Sequence, residues 1–383
     1  MKKCLLLIVA FLIILLLEVS CPACLPEDPV FENFSYQVNG RSITITGYSG
    51  SETVIRIPET IQNLPVIAIS SLSSWQWPHS LTSVTIPSSV TAVKYGAFSQ
   101  CRSLTSISVD TGNNVFISRG GILFDKSEEI IICYPAGKSG AYTIPSSVTT
   151  IADKAFSNCN LTSVTIPLSV TAIGQQAFYY CKILTNVTIP LSVTTIKDRT
   201  FYCCSSLTSV TIPLSITAIE DFAFSECESL TSVIIPSSVT TIGDRAFGSC
   251  DSLTDIGTDT ENSIYVSVGG VLFDKSEKTL ICFPAGKSGV YTIPSSVNTV
   301  DHHAFWWCNK LTSVTIPSSV NAIGPYGFWA CYNLTSVTFD GTIASSNFSD
   351  KNFNGNLRTV YLAGGKGTYV TENPGYNAIW TKQ

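Results

Sequence analysis

Charge is scarce in this 383-residue chain: Asp, Glu, Lys and Arg make up only 13% of it, and the balance is −5. No Lys/Arg cluster is longer than Lys2-Lys3. The basic stripe that a nucleic acid demands is therefore missing, and a phosphate backbone would be repelled. Histidine is limited to His79, His302 and His303. No G-x-S-x-G, H-E-x-x-H, P-loop or EF-hand spacing occurs, so no nucleophile, zinc-protease or phosphate-cradling pattern can be assembled. The expectation is a protein that is not an enzyme and needs no cofactor. No long apolar run follows the first twenty residues, which excludes a bundle of membrane helices. Disorder is excluded too, because 45% of the residues are hydrophobic.

The first apolar run, Leu5 to Leu17, follows Lys2 and Lys3 and carries no charge. Thirteen residues suit the apolar region of an export signal better than a membrane span. Val19-Ser20-Cys21 resembles the end of a lipoprotein box, with Cys21 as the lipidation candidate. Glu18 stands where such a box has Leu, and ordinary cleavage near Ser20 to Ala23 is the other reading. A lipid on Cys21 is the only membrane attachment expected.

The remaining sequence repeats every 23 residues. Leu81-Thr-Ser-Val-Thr-Ile-Pro87 returns as Leu161 to Pro167, Leu184 to Pro190, Leu207 to Pro213, Leu230 to Pro236 and Leu311 to Pro317. Ser83-Val84-Thr85-Ile86 alternates polar with apolar, which predicts a strand with one buried face. Pro87 has no N–H for a ladder and stops it. Val90 and Val93 turn inward on the return. Ala97, Phe98 and Cys101 then fall on one face of a single helical turn. One such coil cannot bury its own apolar face, so coils must stack. The predicted fold is a leucine-rich-repeat solenoid, β-dominated with short helical turns, in which 23-residue coils form a parallel strand ladder. About thirteen strand positions run from Val54 to Leu362. At strand spacing the rod is roughly 60 Å long.

Two coils are longer, and they lie 149 residues apart. Each contains Gly-Gly-(Ile/Val)-Leu-Phe-Asp-Lys-Ser-Glu. Ile122 to Asp125 and Ile130 to Tyr134, joined by Lys126 to Glu129, read as a hairpin, repeated from Val271 to Phe283. The predicted organisation is a signal at 1–20 and a linker at 21–33. An N-terminal cap and irregular first coil at 34–80 follow, with a two-residue turn at Asn39-Gly40. The solenoid spans 81–362, with insertions near 110–141 and 257–290. The C-terminal cap or tail is 363–383, where Trp380 is available to cover the last coil.

The repeated L-T-S-V-T-I-P, the I-G-x-x-A-F step and the G-G-x-L-F-D-K insertion resemble the BspA-like leucine-rich-repeat family of bacterial surface proteins. The similarity covers about Phe34 to Leu362. Gly367-Thr-Tyr and Trp380-Thr-Lys-Gln also resemble the ends of some exported bacterial members. The resemblance implies a cell-surface adhesin, attached to host matrix proteins or to other bacteria, with no catalytic motif to carry over. The competing expectation is a structural envelope or matrix component without a specific ligand, and an enzyme is the remote one.

Eight cysteines, among them Cys101, Cys181 and Cys331, occupy one repeat slot. Buried thiols are expected there, because neighbours oriented alike suit a packed ladder better than disulfides or a metal. Cys203 precedes its ladder cysteine and is expected to face outward as the candidate reactive thiol. His302 and His303 fill the polar step of their coil with no further ligand evident, so no metal is expected. Two features are candidates for an extracellular protein or glycan partner. The first is the outward strand face, where Thr85, Thr165, Thr188, Thr211, Thr315 and Thr338 are expected to align. The bland reading of that face is a solvated strand surface. An ice-binding array is the rare one, and Ile234 interrupts it. The second is aromatic. Tyr179, Tyr180 and Tyr202, and separately Trp306, Trp307, Trp329 and Tyr326, are expected to cluster on the helical-turn edge, where partial burial against the next coil is the alternative.

Overall fold

The computed structural model describes residues 33–70, 77–349 and 351–383. The expected signal at 1–20 and Cys21 lie outside these residues.

The coils stack in register through three ladders. The first joins the long strands. Ser83–Ile86 pairs in parallel with Ser106–Val109, Val84 opposite Ile107. Val164 stands opposite Val187, and Val314 opposite Val337. Each partner is one coil further along the chain, and these Val and Ile side chains are buried. The second ladder joins the short return strands, as in Thr195–Ile196, Ala218–Ile219 and Thr241–Ile242. Thr hydroxyls stitch beside both. Thr105, Thr185 and Thr335 each donate to the carbonyl of the Thr one coil earlier, at 3.0–3.2 Å. These bonds explain why Thr is repeated beside the inward Leu.

The third ladder runs along the Gly-x-x-Ala-Phe-x-x-Cys step. The helical turn is realised there as successive tight turns in which alternate N–H groups point different ways. Ala155, Ser157 and Cys159 donate back three residues, to Ala152, Lys154 and Phe156. Lys154, Phe156 and Asn158 donate instead to Gln175, Ala177 and Tyr179 of the next coil. Lys154 and Asn158 adopt φ of 59° and 62°, and the pattern recurs at Gln176 and Tyr180 and at Arg199 and Cys203. A left-handed residue between right-handed ones turns its N–H along the stacking axis. A residue with a Cβ costs about 1–2 kcal/mol in that conformation. The inter-coil bond is what holds it there.

Behind this step lies the core. Phe156, Phe178, Phe201, Phe224 and Phe247 stack with centroids 5.0–5.6 Å apart. Phe283, Phe305, Phe328 and Phe353 continue the stack beyond the second insertion. Every cysteine among the described residues is free. The ladder thiols of Cys181, Cys204, Cys227 and Cys250 each donate to the Phe carbonyl of the preceding coil, at 3.0–3.2 Å. A small polarisable donor therefore fits the slot without leaving that carbonyl orphaned.

The insertions divide the core. Ile122–Asp125 pairs antiparallel with both Phe116–Arg119 and Ile130–Cys133. Its side chains alternate between two clusters: Leu123 joins the core toward the N-terminus, Ile122 and Phe124 the core beyond. Val271–Asp274 repeats this, with Leu272 on one side and Val271 and Phe273 on the other. The continuous apolar runs Ile-Leu-Phe and Val-Leu-Phe are thus strands buried on both faces. Asn113 and Asn262 fix the entry to each insertion. Each is buried, its amide donating to two carbonyls of the preceding coil (Pro87 and Val90; Pro236 and Val239). Each amide oxygen accepts two backbone N–H groups. Asp125 and Asp274 close the hairpin turns by accepting the N–H of Ile130 and Thr279.

At the N-terminal end Phe34–Asn39 and Ser42–Tyr48 form a hairpin in which Asn39 pairs with Ser42. The two turn residues are therefore Gly40 and Arg41, one position later than expected. Only Gly40 has positive φ, at 64°, which fits a turn with Gly at its first central position. The strand position expected to end at Leu362 is instead the helix Leu357–Gly364. Leu357 and Tyr361 are four apart and both buried, the helical spacing. The Tyr361 hydroxyl accepts the N–H of Ile343 at 2.7 Å. Gly367–Val370 and Thr381–Lys382 then extend the sheet antiparallel. Trp380 is buried between, its indole N–H on the Asn354 carbonyl.

Two outcomes follow from this packing. Gln176→Gly should raise stability, by up to about 1 kcal/mol in urea unfolding, because relief of the left-handed Cβ penalty exceeds the backbone entropy cost. Destabilisation would mean the left-handed step carries no strain. Leu272→Ala should cost about 2–5 kcal/mol and split the unfolding transition in two, since Leu272 belongs to one cluster while its strand neighbours belong to the other. A single transition near the wild-type midpoint would show that the strand Val271–Asp274 does not couple the two clusters.

Candidate functional site

With the inward positions committed to the three ladders, chemistry is left to outward ones. On the strand face Thr165, Thr188 and Thr211 follow one another in register, all exposed, and Ile234 ends the file. Thr315 pairs with Thr338, but the Thr338 hydroxyl is bonded to that of Thr368 on the tail strand at 3.0 Å. Thr85 lies opposite Ser108. The Thr are therefore in two separate groups, with Thr85 apart from both. Beside the first group is a feature that sequence reasoning passed over: Leu168, Leu191 and Leu214 are 64–70% exposed on consecutive coils. Other coils carry Ser at this position after Pro, as at Ser88, Ser146 and Ser237. The signal was that departure, recurring at the repeat period.

The aromatic residues are half-buried, as outward side chains lying against the next coil. Tyr179 stacks on Tyr202 at 5.2 Å and tilts against Tyr180 at 4.6 Å. The Tyr202 hydroxyl is hydrogen-bonded to Glu226. Burial and that carboxylate hold its pKa well above the ordinary value. The second group is a chain rather than a single patch. Trp306 meets Tyr326 at 6.2 Å, Tyr326 meets Trp329 at 5.8 Å, and Trp329 meets Tyr376 at 5.5 Å, all near perpendicular. Trp307 packs instead on Tyr332.

Trp306 and Trp307 do share one surface: a pocket of about 230 Å³, closed by Glu226, Glu228, Ser249 and Asp251. Burial pushes the Asp251 carboxyl above its usual range, while Lys310 pulls it back. Two indoles and three carboxylates suit a cation: the ring faces attract it and the carboxylates neutralise it. The volume matches one long side chain rather than a small-molecule site, which typically spans about 300–1,000 Å³. Sequence reasoning found the tryptophans but not the acids, which come from two preceding coils.

Cys203 is corrected by the structure. It is buried, although Tyr180 and Trp307 share its slot and its left-handed φ and are half-buried: the short thiol lies among Tyr179, Tyr180 and Glu226, while its N–H reaches Ser225 of the next coil. Burial, and then Glu226, push its thiol up to about 11. The expectation that His302 and His303 lack a further ligand is also overturned: Asp244 joins them, with one ligand atom from each residue within 4.8 Å of the others. Burial pushes the Asp244 carboxyl up, but contact with His303 and the charges of His303, Arg245 and His302 together hold it below its usual value.

Among known proteins, the model of the BspA type leucine-rich repeat region matches residues 48–132, 133–263 and 282–368. A leucine-rich cell surface protein from Faecalibacterium prausnitzii is 32% identical in its crystal structure, over 82% of this chain and 76% of that one, with a TM-score of 0.50. A leucine-rich-repeat protein from Eubacterium ventriosum is 23% identical over 78% and 68%, with a TM-score of 0.45. One from Bacteroides ovatus is 22% identical over 86% and 94%, at 0.41. No curated protein matches.

The Cys203 geometry gives a direct expectation. With a pKa of about 11, roughly one thiol in a thousand is thiolate at pH 8. Alkylation of the folded chain at Cys203 should therefore be negligible at pH 8 and become fast only in denaturant. Rapid native labelling, mapped by peptide mass, would place the thiol in solvent.

Proposed function

The chain belongs to the BspA-type leucine-rich-repeat family, and from that premise we propose that it is an exported adhesin that binds a protein partner at the cell surface. The Trp306–Trp307 pocket takes a basic side chain of that partner. Repeat stacking supplies a long, stiff surface, and its outward residues set specificity. The observation that carries the reading is the convergence of two tryptophans with Glu226, Glu228 and Asp251. The duplicated block supports it. At the matching positions 149 residues earlier stand Ser157, Asn158, Trp77, His79 and Arg102. The scaffold thus builds the same coils without either tryptophan or any of these acids, and the pocket is not required by folding. The exposed Leu168, Leu191 and Leu214 column and the Thr165, Thr188 and Thr211 file extend the contact, and Tyr179, Tyr180 and Tyr202 lie on the same coils. Export through the 1–20 signal, and display by lipid on Cys21, accord with the surface description of the Faecalibacterium relative. Host matrix proteins or other bacteria are the sources of the partner, and no catalytic step is needed. The Trp329–Tyr376 pair favours a second reading, a glycan stacked on the aromatic chain.

Binding to an array of host matrix proteins and a glycan array tests both. A Trp306→Ala/Trp307→Ala chain should lose about 2 kcal/mol or more of protein affinity, and so should Glu228→Gln in part, with the affinity falling as salt rises. Retained binding in the double variant, with native circular dichroism, would overturn the pocket. Binding to glycans alone, lost in Trp329→Ala, would favour the second reading.

A further inference from the structure

The cleft beside Trp306 exists because one coil is short. In an ordinary coil five positions separate the return strand from the core Phe, as from Ile242 to Phe247 and from Val300 to Phe305. In the insertion coil between these two, only three separate Leu280 from Phe283. Yet Phe283 still stacks on Phe305, and its N–H reaches Ala304. The missing pair is the outward x-x step. Its absence lets the steps on either side face each other: Asp244 from the coil before, His302 and His303 from the coil after. About 50 Å³ of space lies between, floored by Cys282 and Phe283, enough for an ion and bound water.

We infer that Asp244 Oδ1, His302 Nε2 and His303 Nδ1 form a binding site for a divalent transition-metal ion of the zinc class. Oδ1 lies 2.8 Å from His303 Nδ1 and 3.5 Å from His302 Nε2. Ligands at 2.0–2.1 Å around a tetrahedral ion stand roughly 3.3 Å apart; the two pairs with Oδ1 are within about half an ångström of that, and the two imidazole nitrogens, within 4.8 Å of each other, close on the ion by side-chain rotation. Oδ1 and His303 Nδ1 are both buried and neither makes a well-formed hydrogen bond, despite their closeness. Two buried acceptor-capable atoms without a hydrogen-bond partner are what a cation would satisfy. The surroundings are already arranged. Asp301 Oδ1 lies 2.7 Å from His302 Nδ1, the carboxylate partner that fixes a tautomer with Nε2 free for metal. His303 stacks on Tyr326 at 5.1 Å. Arg245 binds the other Asp244 oxygen at 3.0 Å while lying over Phe222 and Trp306, which fixes the carboxylate and leaves Oδ1 without a hydrogen bond. Two imidazoles and a carboxylate are a zinc-type donor set, and three protein ligands leave a position for water.

Folding does not call for these residues. The earlier block carries Tyr95, Asp153 and Lys154 at the same slots, 149 positions back. The ion would also join the two core clusters that part at Leu272, by linking the coils on either side.

The test is titration of the full chain with Co²⁺, read by visible absorption, and with Zn²⁺, read by calorimetry and by Tm. We expect one ion per chain with micromolar or tighter affinity, and a Tm that rises with Zn²⁺. Asp244→Asn and His303→Ala should each weaken binding at least 100-fold. Asp301→Asn should weaken it about 10–100-fold, and His79→Ala not at all. The block-swap chain, Asp244→Tyr with His302→Asp and His303→Lys, should lose the cobalt band and the Tm response. Should that chain misfold, the half-exposed His302→Ala decides by the same readouts. No cobalt band in the wild-type chain, or a band that survives these substitutions, overturns the site and leaves only a histidine–carboxylate ion pair.

Discussion

The whole rod rests on backbone hydrogen bonds passed from one coil to the next. A coil of this length has more N–H and C=O groups than its own turns can pair, and a buried unpaired group costs about 1–3 kcal/mol. The strand ladders solve this in the ordinary way. The Phe step solves it by alternating backbone handedness, so that successive donors serve the coil's own turn and then its neighbour. Once that register holds, the rest is determined. Phe rings must stack at coil spacing, the thiol at the next slot meets a Phe carbonyl, and Thr beside the strand meets the carbonyl of the Thr before it. The same residue types recur because each coil presents its neighbour with the same vacancies.

This also explains why the two insertions matter. A strand that packs on both faces makes a wall across the core, and a coil that lacks its outward step makes a notch in the surface. Both come from the same change of length. The wall separates clusters that would otherwise be continuous. The notch lets the short side chains of coils two apart approach each other, which elsewhere takes a reach as long as that of Arg56 to Asp110. The acidic tryptophan pocket and the Asp244–His303 contact both adjoin the second notch.

Much of the fold could be read from the residues. Val84 with Ile86, Phe98 and Cys101 are buried where alternation and spacing put them. What escaped did so for physical reasons. Spacing puts Cys203 in the outward slot that Tyr180 and Trp307 also fill, but only a side chain as short as its thiol is covered there by the tyrosines and Glu226 of neighbouring steps. Extrapolating the repeat past its last Leu-Thr-Ser-Val makes the segment before Leu362 one more strand, whereas Leu357 and Tyr361 carry helical spacing. Separation counted in residues keeps Asp244 far from His302. Counted in slots, the two occupy the same place, two residues before Ala246 and Ala304, and the coil between them has that place deleted. Trp306 and Trp307 were visible as aromatic, but the carboxylates facing them belong to other coils and carry no local pattern.

The duplication separates what the scaffold needs from what it merely carries. Asn113 and Asn262, Asp125 and Asp274, and Leu123 and Leu272 are identical across the 149-residue offset, and each performs the same structural task in its block. Tyr95 against Asp244, Lys154 against His303, and Ser157 against Trp306 differ, and each lies on the outward edge. Two blocks with the same coil lengths, walls and notches are an internal control. Where they agree, packing sets the residue. Where they differ around the notch, packing tolerates either choice, so changes at Asp244, His302 and His303 probe binding separately from the fold.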